Sequence, residues 1–130
     1  MGITKAEALK AVDRERGPVC EASDRIWDQP ETAFQEFHST DVLCELLEKE
    51  GFRVERNLAG IATAFSGTYG SGKPVVGILG EFDALSGLSQ ESESLEKTAL
   101  VDGAPGHGCG HNVIATCASG AFASLAKIFV

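Results

Sequence analysis

No run of lysine or arginine occurs anywhere in these 130 residues, no apolar stretch approaches the length needed to cross a bilayer, and no segment repeats. Each absence excludes something. Without a basic cluster, and with 19 acidic against 11 basic side chains for a formal net charge of -8, a nucleic-acid partner is not expected. The acid excess is scattered over candidate helices and the Glu91 to Glu96 loop, and so reads as solubility rather than as a binding surface. A membrane helix needs roughly 20 apolar residues, and the N-terminus, with Lys5, Glu7, Lys10 and Asp13, lacks the apolar centre of a signal peptide. No membrane partner is expected, and the expected location is the cytoplasm. The four cysteines do not have the spacing of a small disulfide-stapled domain, and a cytosolic setting keeps them reduced. Cys20, Cys44 and Cys117 are expected to be buried as small hydrophobes; Cys109 is set apart by its neighbours.

What is present is the balance of an ordinary globular chain, 43% hydrophobic and 23% charged residues. A chain of this length can bury roughly two-thirds of its unfolded surface, enough for one domain or part of one. Ala6, Leu9 and Val12 recur at helical spacing, and Val19, Ala22 and Ile26 continue the pattern after Gly17-Pro18, where a kink is expected. After Gln29-Pro30, the segment Glu36 to Glu50 reads as a helix with Val42, Leu43, Leu46 and Leu47 on one face and Gly51 as its stop. Phe52 to Arg56 alternates apolar and charged residues and Ile61 to Phe65 is a short apolar run, together a strand pair. Val75 to Leu79 is continuously apolar, as in a strand covered on both faces. The polar stretch Ser86 to Pro105 has no periodicity and is long enough to be a functional loop. Asn112 to Phe129 reads as a helix with Val113, Cys117, Ala121, Leu125 and Ile128 on one face.

Two segments carry chemistry. In Gly106-His107-Gly108-Cys109-Gly110-His111-Asn112, three metal-ligand residue types alternate with glycines, which let a backbone fold closely around an ion. The helix N-terminus that follows favours a thiolate. Local spacing reads equally well as a glycine-rich turn with one buried Cys and two exposed His. In Glu81-Phe82-Asp83, at the end of the expected strand, the two carboxylates two residues apart point the same way, and the end of a strand is where α/β proteins place their sites. Alone, such a pair is more often a helix cap or a solvated turn.

Taken together, VVGILGEFDALSGLSQ (Val75 to Gln90), PGHGCGHN (Pro105 to Asn112) and the weaker PETAFQEF (Pro30 to Phe37) resemble the dinuclear metallo-amidohydrolase and peptidase family that includes aminoacylases, auxin-conjugate hydrolases and bacterial aminobenzoyl-glutamate hydrolases. The resemblance covers nearly the whole chain in order and spacing. It implies an α/β fold in which residues 1 to 130 are the truncated N-terminal portion of a three-layer α/β/α catalytic domain of the zinc-peptidase-like type, without the lid and dimerisation domain. By similarity Cys109 and His111 fall on metal-ligand positions and Asp83 on the catalytic carboxylate that supports the metal site. Glu81 stands where the wider family carries a ligand His, and His107 matches a recurrent His; both are further candidates. Ser86 replaces a usual Pro, and Asn112 replaces the Asp of auxin-conjugate hydrolases, drawing the chain toward the aminobenzoyl-glutamate branch.

The implied activity is hydrolysis of an amide in an N-acyl amino acid or dipeptide, such as an aminobenzoyl-glutamate-like substrate. It would use two divalent ions, manganese or zinc, and a carboxylate base. The full-length protein is expected to be a homo-oligomer or hetero-oligomer. Because the family's base and remaining ligands have no counterpart in these residues, the chain alone is expected to be an inactive fragment. Two other classes fit the local residues: a structural zinc module held by His107, Cys109 and His111, and a thiol enzyme with Cys109 as nucleophile and His107 or His111 as base.

Overall fold

The structure is a computed structural model that describes residues 2–128. Its elements follow the order α1 (Lys5–Asp28), α2 (Phe37–Lys49), β1 (Arg53–Arg56), a 3-10 turn (Leu58–Gly60), β2 (Phe65–Thr68) and α3 (His111–Ala126).

Thr4 starts α1 with a capping box, its hydroxyl accepting from the Glu7 N–H while the Glu7 carboxylate accepts from the Thr4 N–H. The helix does not break at Pro18, although an interior proline costs about 3 kcal/mol in isolation. Ala11 and Glu15 before the proline, and Ala22 and Ile26 after it, are all buried on one continuous face. Packing of that face against α2 and α3 holds the two halves in line.

The second helix is formed as its pattern predicts, with Val42, Leu43, Leu46 and Leu47 buried. Glu36, its N-cap residue, makes no side-chain cap. Glu31 does that job from outside the helix: its carboxylate accepts from the His38 N–H (2.9 Å), the Ser39 N–H (2.8 Å) and the Ser39 hydroxyl (2.9 Å). At the other end Gly51 sits at φ 83°, where only glycine is unstrained, and two bonds, Gly51 N–H to the Glu48 carbonyl and Phe52 N–H to the Leu47 carbonyl, close a Schellman turn. Phe52 then packs on Leu47.

The β1 and β2 strands pair antiparallel, Arg53 opposite Thr68 and Arg56 opposite Phe65. The second strand starts at Phe65 rather than at Ile61. Residues 57 to 64 are spent on a turn closed by the Leu58 N–H to Ala64 carbonyl bond, and Thr63 is anchored to α2 through the Thr40 hydroxyl (2.9 Å).

Other expectations fail. Val75 to Leu79 forms no strand and is not buried: Val75 is 84% exposed and Leu79 86%. A strand buried on both faces needs a hydrogen-bonded neighbour on each side, and no described strand pairs with this run. It lies instead along an open apolar groove of about 670 Å³ between β2 and α3. On α3, the face buried is the small one, Ala115, Thr116, Ser119, Gly120 and Ala123, while Val113, Cys117 and Leu125 are exposed. Close approach of α1 is the reason: a Cβ on Gly120 would stand 2.4 Å from a Val19 methyl, so bulky residues are kept off this face. Cys20 is exposed as well, and Cys44 alone of the three is buried. Ile128 ends the described chain just past the helix, and Phe129 lies outside the described residues.

Candidate functional site

Asp83 is placed by its neighbours on both sides. Phe82 turns into the core, packing on Phe65 with ring centroids 5.8 Å apart, so the alternation of extended backbone sends Glu81 and Asp83 away from it. The next residue, Ala84, is buried and donates its N–H to the Glu31 carbonyl (2.7 Å), with Thr32 bridged in parallel. Leu85 and Gly106 then exchange two backbone bonds (3.1 and 3.0 Å). This bridge draws the glycine-rich segment alongside the acidic one. Gly106 must be glycine, because a Cβ there would stand 2.0 Å from the Leu88 carbonyl oxygen.

Gly110, at φ 78°, is the N-cap of α3, and His111 is its first residue. The His111 ring meets both carboxylates: Nδ1 lies 2.8 Å from Asp83 Oδ1 and Nε2 lies 3.5 Å from Glu81 Oε2. Cys109 Sγ points at the Asp83 backbone carbonyl, 3.7 Å away, and forms no pair with either histidine. Thus Cys109, His111, Asp83 and Glu81, all singled out in the sequence, meet at the start of α3.

His107 takes a different position. It is 3% exposed, and neither ring nitrogen has a hydrogen bond of good geometry. Burial holds its pKa below the ordinary 6.5, outweighing the Ile26 carbonyl and the carboxylates of Asp83 and Glu31, which favour the charged ring. Asn112 is buried too, its amide donating to the Ser23 hydroxyl (3.0 Å) and tying α3 to α1.

The donors suit a divalent cation in type, a thiol, an imidazole and two carboxylates. Two of them suit it in spacing: donors each about 2.1 Å from one tetrahedral ion stand roughly 3.4 Å apart, close to the Glu81 to His111 Nε2 separation of 3.5 Å. Asp83 on Nδ1 orients the ring, as a carboxylate behind a metal-bound histidine does. Among the described residues, however, no three such side chains converge on one point.

Sequence reasoning missed Glu31, which lies inside the quoted Pro30 to Phe37 segment and joins the α2 N-terminus to the backbone beside Asp83. A carboxylate a few residues ahead of a helix whose own N-cap has a long side chain was the available signal.

Comparison with known proteins gives first a fold. The fold is similar to the crystal structure of a protein assigned as an aminohydrolase from methicillin resistant Staphylococcus aureus, with a TM-score of 0.70 over 96% of this chain and 31% of that one, at 22% identity. The α/β reading of the sequence therefore holds. The sequence itself is 44% identical over 117 residues, 90% of this chain, to the B subunit of p-aminobenzoyl-glutamate hydrolase from Escherichia coli (strain K12). The chain spans about a quarter (24%) of the length of that curated relative. No protein-family model matches it. No helix among the described residues is long and apolar enough to cross a membrane.

Proposed function

We propose that this chain contributes part of the active site of a metal-dependent amidohydrolase, with Cys109 and His111 as metal ligands and Asp83 as the carboxylate that orients His111. The observation that carries the reading is the 2.8 Å contact of Asp83 with His111 Nδ1, which leaves Nε2 directed toward Glu81. A histidine held this way presents one defined nitrogen to a cation. A divalent ion bound there would supply an acidified water for attack on an amide carbonyl. The chain's own residues then act on that site as follows: Asp83 holds the imidazole tautomer, Glu81 adds a second oxygen donor, and the Leu85 to Gly106 bridge keeps the two segments in register.

The substrate class is an N-acyl amino acid or dipeptide of the aminobenzoyl-glutamate kind, supported by the substrate in the name of the Escherichia coli relative. Assembly with other subunits is supported by the same name. Manganese and zinc both fit the donor set. The two rival classes gain no support: His107, Cys109 and His111 do not converge, and Cys109 is not hydrogen-bonded to an imidazole.

With two donors at one point and no third, the chain by itself is expected to bind metal weakly and to turn over p-aminobenzoyl-glutamate negligibly. Calorimetric titration with manganese and with zinc, on the chain and on Cys109→Ser and His111→Ala, tests the assignment. Both substitutions should weaken the binding further. Micromolar or tighter binding that neither substitution alters would overturn it.

A further inference from the structure

The backbone that leads into the acidic segment, residues 75 to 80, pairs with no described strand, so little ahead of Phe82 fixes where Asp83 stands. The backbone hydrogen bond nearest to Asp83 is made by the next residue. Ala84, which is buried, donates its N–H to the Glu31 carbonyl (2.7 Å). The placement of Asp83 against His111 therefore depends on what holds Glu31.

Local backbone preference does not hold it. The turn that follows, closed by the Gln35 N–H on the Thr32 carbonyl (2.9 Å), carries Phe34 at φ 64°, a conformation that a bulky side chain adopts only at a cost. Phe34 is exposed, so no packing offsets that cost. What holds the segment is the Glu31 carboxylate, through its three bonds to His38 and Ser39 at the start of α2. Such bonds are charge-assisted, and the positive end of the helix dipole strengthens them. That helix end is itself fixed on two sides: His38 Nε2 lies 3.3 Å from the Arg25 carbonyl of α1, and the Thr40 hydroxyl donates to the Thr63 carbonyl (2.9 Å).

We infer that Glu31 is a positioning residue for the site: its carboxylate ties the backbone beside Asp83 to the fixed end of α2, and so holds Asp83 on His111 Nδ1. In a neutral ring, Nδ1–H then donates to Asp83 and the Nε2 lone pair is left facing Glu81. Freed of Asp83, the ring would revert to a mixture of both tautomers. The consequence for cation binding rests on the proposed function, but the geometry is a property of the metal-free chain.

The test reads the His111 tautomer by long-range nitrogen–proton correlation on the metal-free chain at about pH 9, where a histidine of ordinary pKa is neutral. In the unsubstituted chain the Nδ1–H form should dominate by about ten-fold or more, the preference that a hydrogen bond to a charged group confers. Glu31→Ala should bring the two forms to comparable populations. Thr40→Val removes a bond from the same end of α2 without touching Glu31 or Asp83. It should lower the melting temperature and leave the tautomer as it was. Should Glu31→Ala fail to fold, Glu31→Gln keeps the side-chain length with only one acceptor oxygen, and should shift the populations part of the way. A His111 that keeps its Nδ1–H form in the Glu31 variants, or loses it equally in Thr40→Val, would overturn the inference. Metal titration tests the hydrolase reading separately, and its failure would leave the tautomer result standing.

Discussion

Cys44, Cys20 and Cys117 have the same side chain and contrasting surroundings. Cys44 is enclosed in the α2 core, and burial pushes its thiol up to about 11, against the opposing pull of Arg56; Cys20 and Cys117 lie open on α1 and α3. Only the thiolate is nucleophilic, so Cys44 is doubly protected. Iodoacetamide near pH 8 should label Cys20 and Cys117 well before Cys44, read by peptide mass spectrometry; equal labelling rates under native conditions would contradict the burial. The same distinction between type and surroundings governs the histidines. His107 and His111 were both legible as candidates because of their glycine spacing, but nothing in the spacing says that one meets two carboxylates and the other none. That depends on Leu85, more than twenty residues away, bonding to Gly106.

At the scale of elements, the glycines mark where two pieces of backbone meet. An alanine at Gly106 would drive its Cβ into the Leu88 carbonyl and against the Ser89 nitrogen, both backbone atoms that cannot step aside. Gly106→Ala should therefore separate the 86 to 105 loop from the glycine-rich segment at a cost of about 2–3 kcal/mol. Loss of protection from amide exchange at Leu85 and Ser89 would report it, and an unchanged exchange pattern with unchanged melting would show the contact to be softer than drawn. The helices were legible as helices, and α2 was legible down to its buried face and its Gly51 stop. The buried face of α3 was not, because hydrophobicity alone ranks Val113 and Leu125 above Gly120 and Ser119, whereas the approach of Val19 admits only small residues.

Across the whole molecule, Lys127 joins helices far apart in sequence, its ammonium reaching Glu15 of α1 at 2.7 Å and Glu50 after α2 at 2.5 Å. Glu15 is itself 3% exposed and without Lys127 would be a buried, unpaired carboxylate. The hydrogen bonds to Glu15 and Glu50 raise the Lys127 pKa above 10.5. A raised amine stabilises the fold fully below about pH 10 and loses that contribution as pH climbs through the folded-state value. Lys127→Ala should cost about 1–2 kcal/mol at neutral pH, the lower part of the range for a broken pair because the ammonium is partly in solvent. Its melting temperature should converge with that of the unsubstituted chain as pH rises through the folded-state value, and curves that stay parallel throughout would refute the linkage. The open groove beside Val75 to Leu79 is the second molecular feature. Val75, Val76 and Leu79 expose apolar surface along backbone that pairs with no strand among the described residues, a combination that associates. Light scattering should show mass rising with concentration, and Val76→Lys with Leu79→Lys should suppress the rise. A strictly monomeric chain at high concentration, or a rise that the double substitution leaves intact, would count against it.

Local chemistry was enough for the capping box at Thr4, the buried face of α2, the Gly51 stop, the direction of Glu81 and Asp83, and the grouping of Cys109 with His111, because each depends on residues within a few positions of one another. Tertiary structure decided the rest. Pro18 stays helical because both halves of α1 pack on one surface; Val75 to Leu79 stays open because no strand flanks it; α3 buries its small face because α1 comes close. The site itself lies between these cases. Its residues could be named from the sequence, but their meeting at the start of α3 is set by the Glu31 to Ala84 and Leu85 to Gly106 bonds, contacts between segments whose separation in the chain no local pattern records.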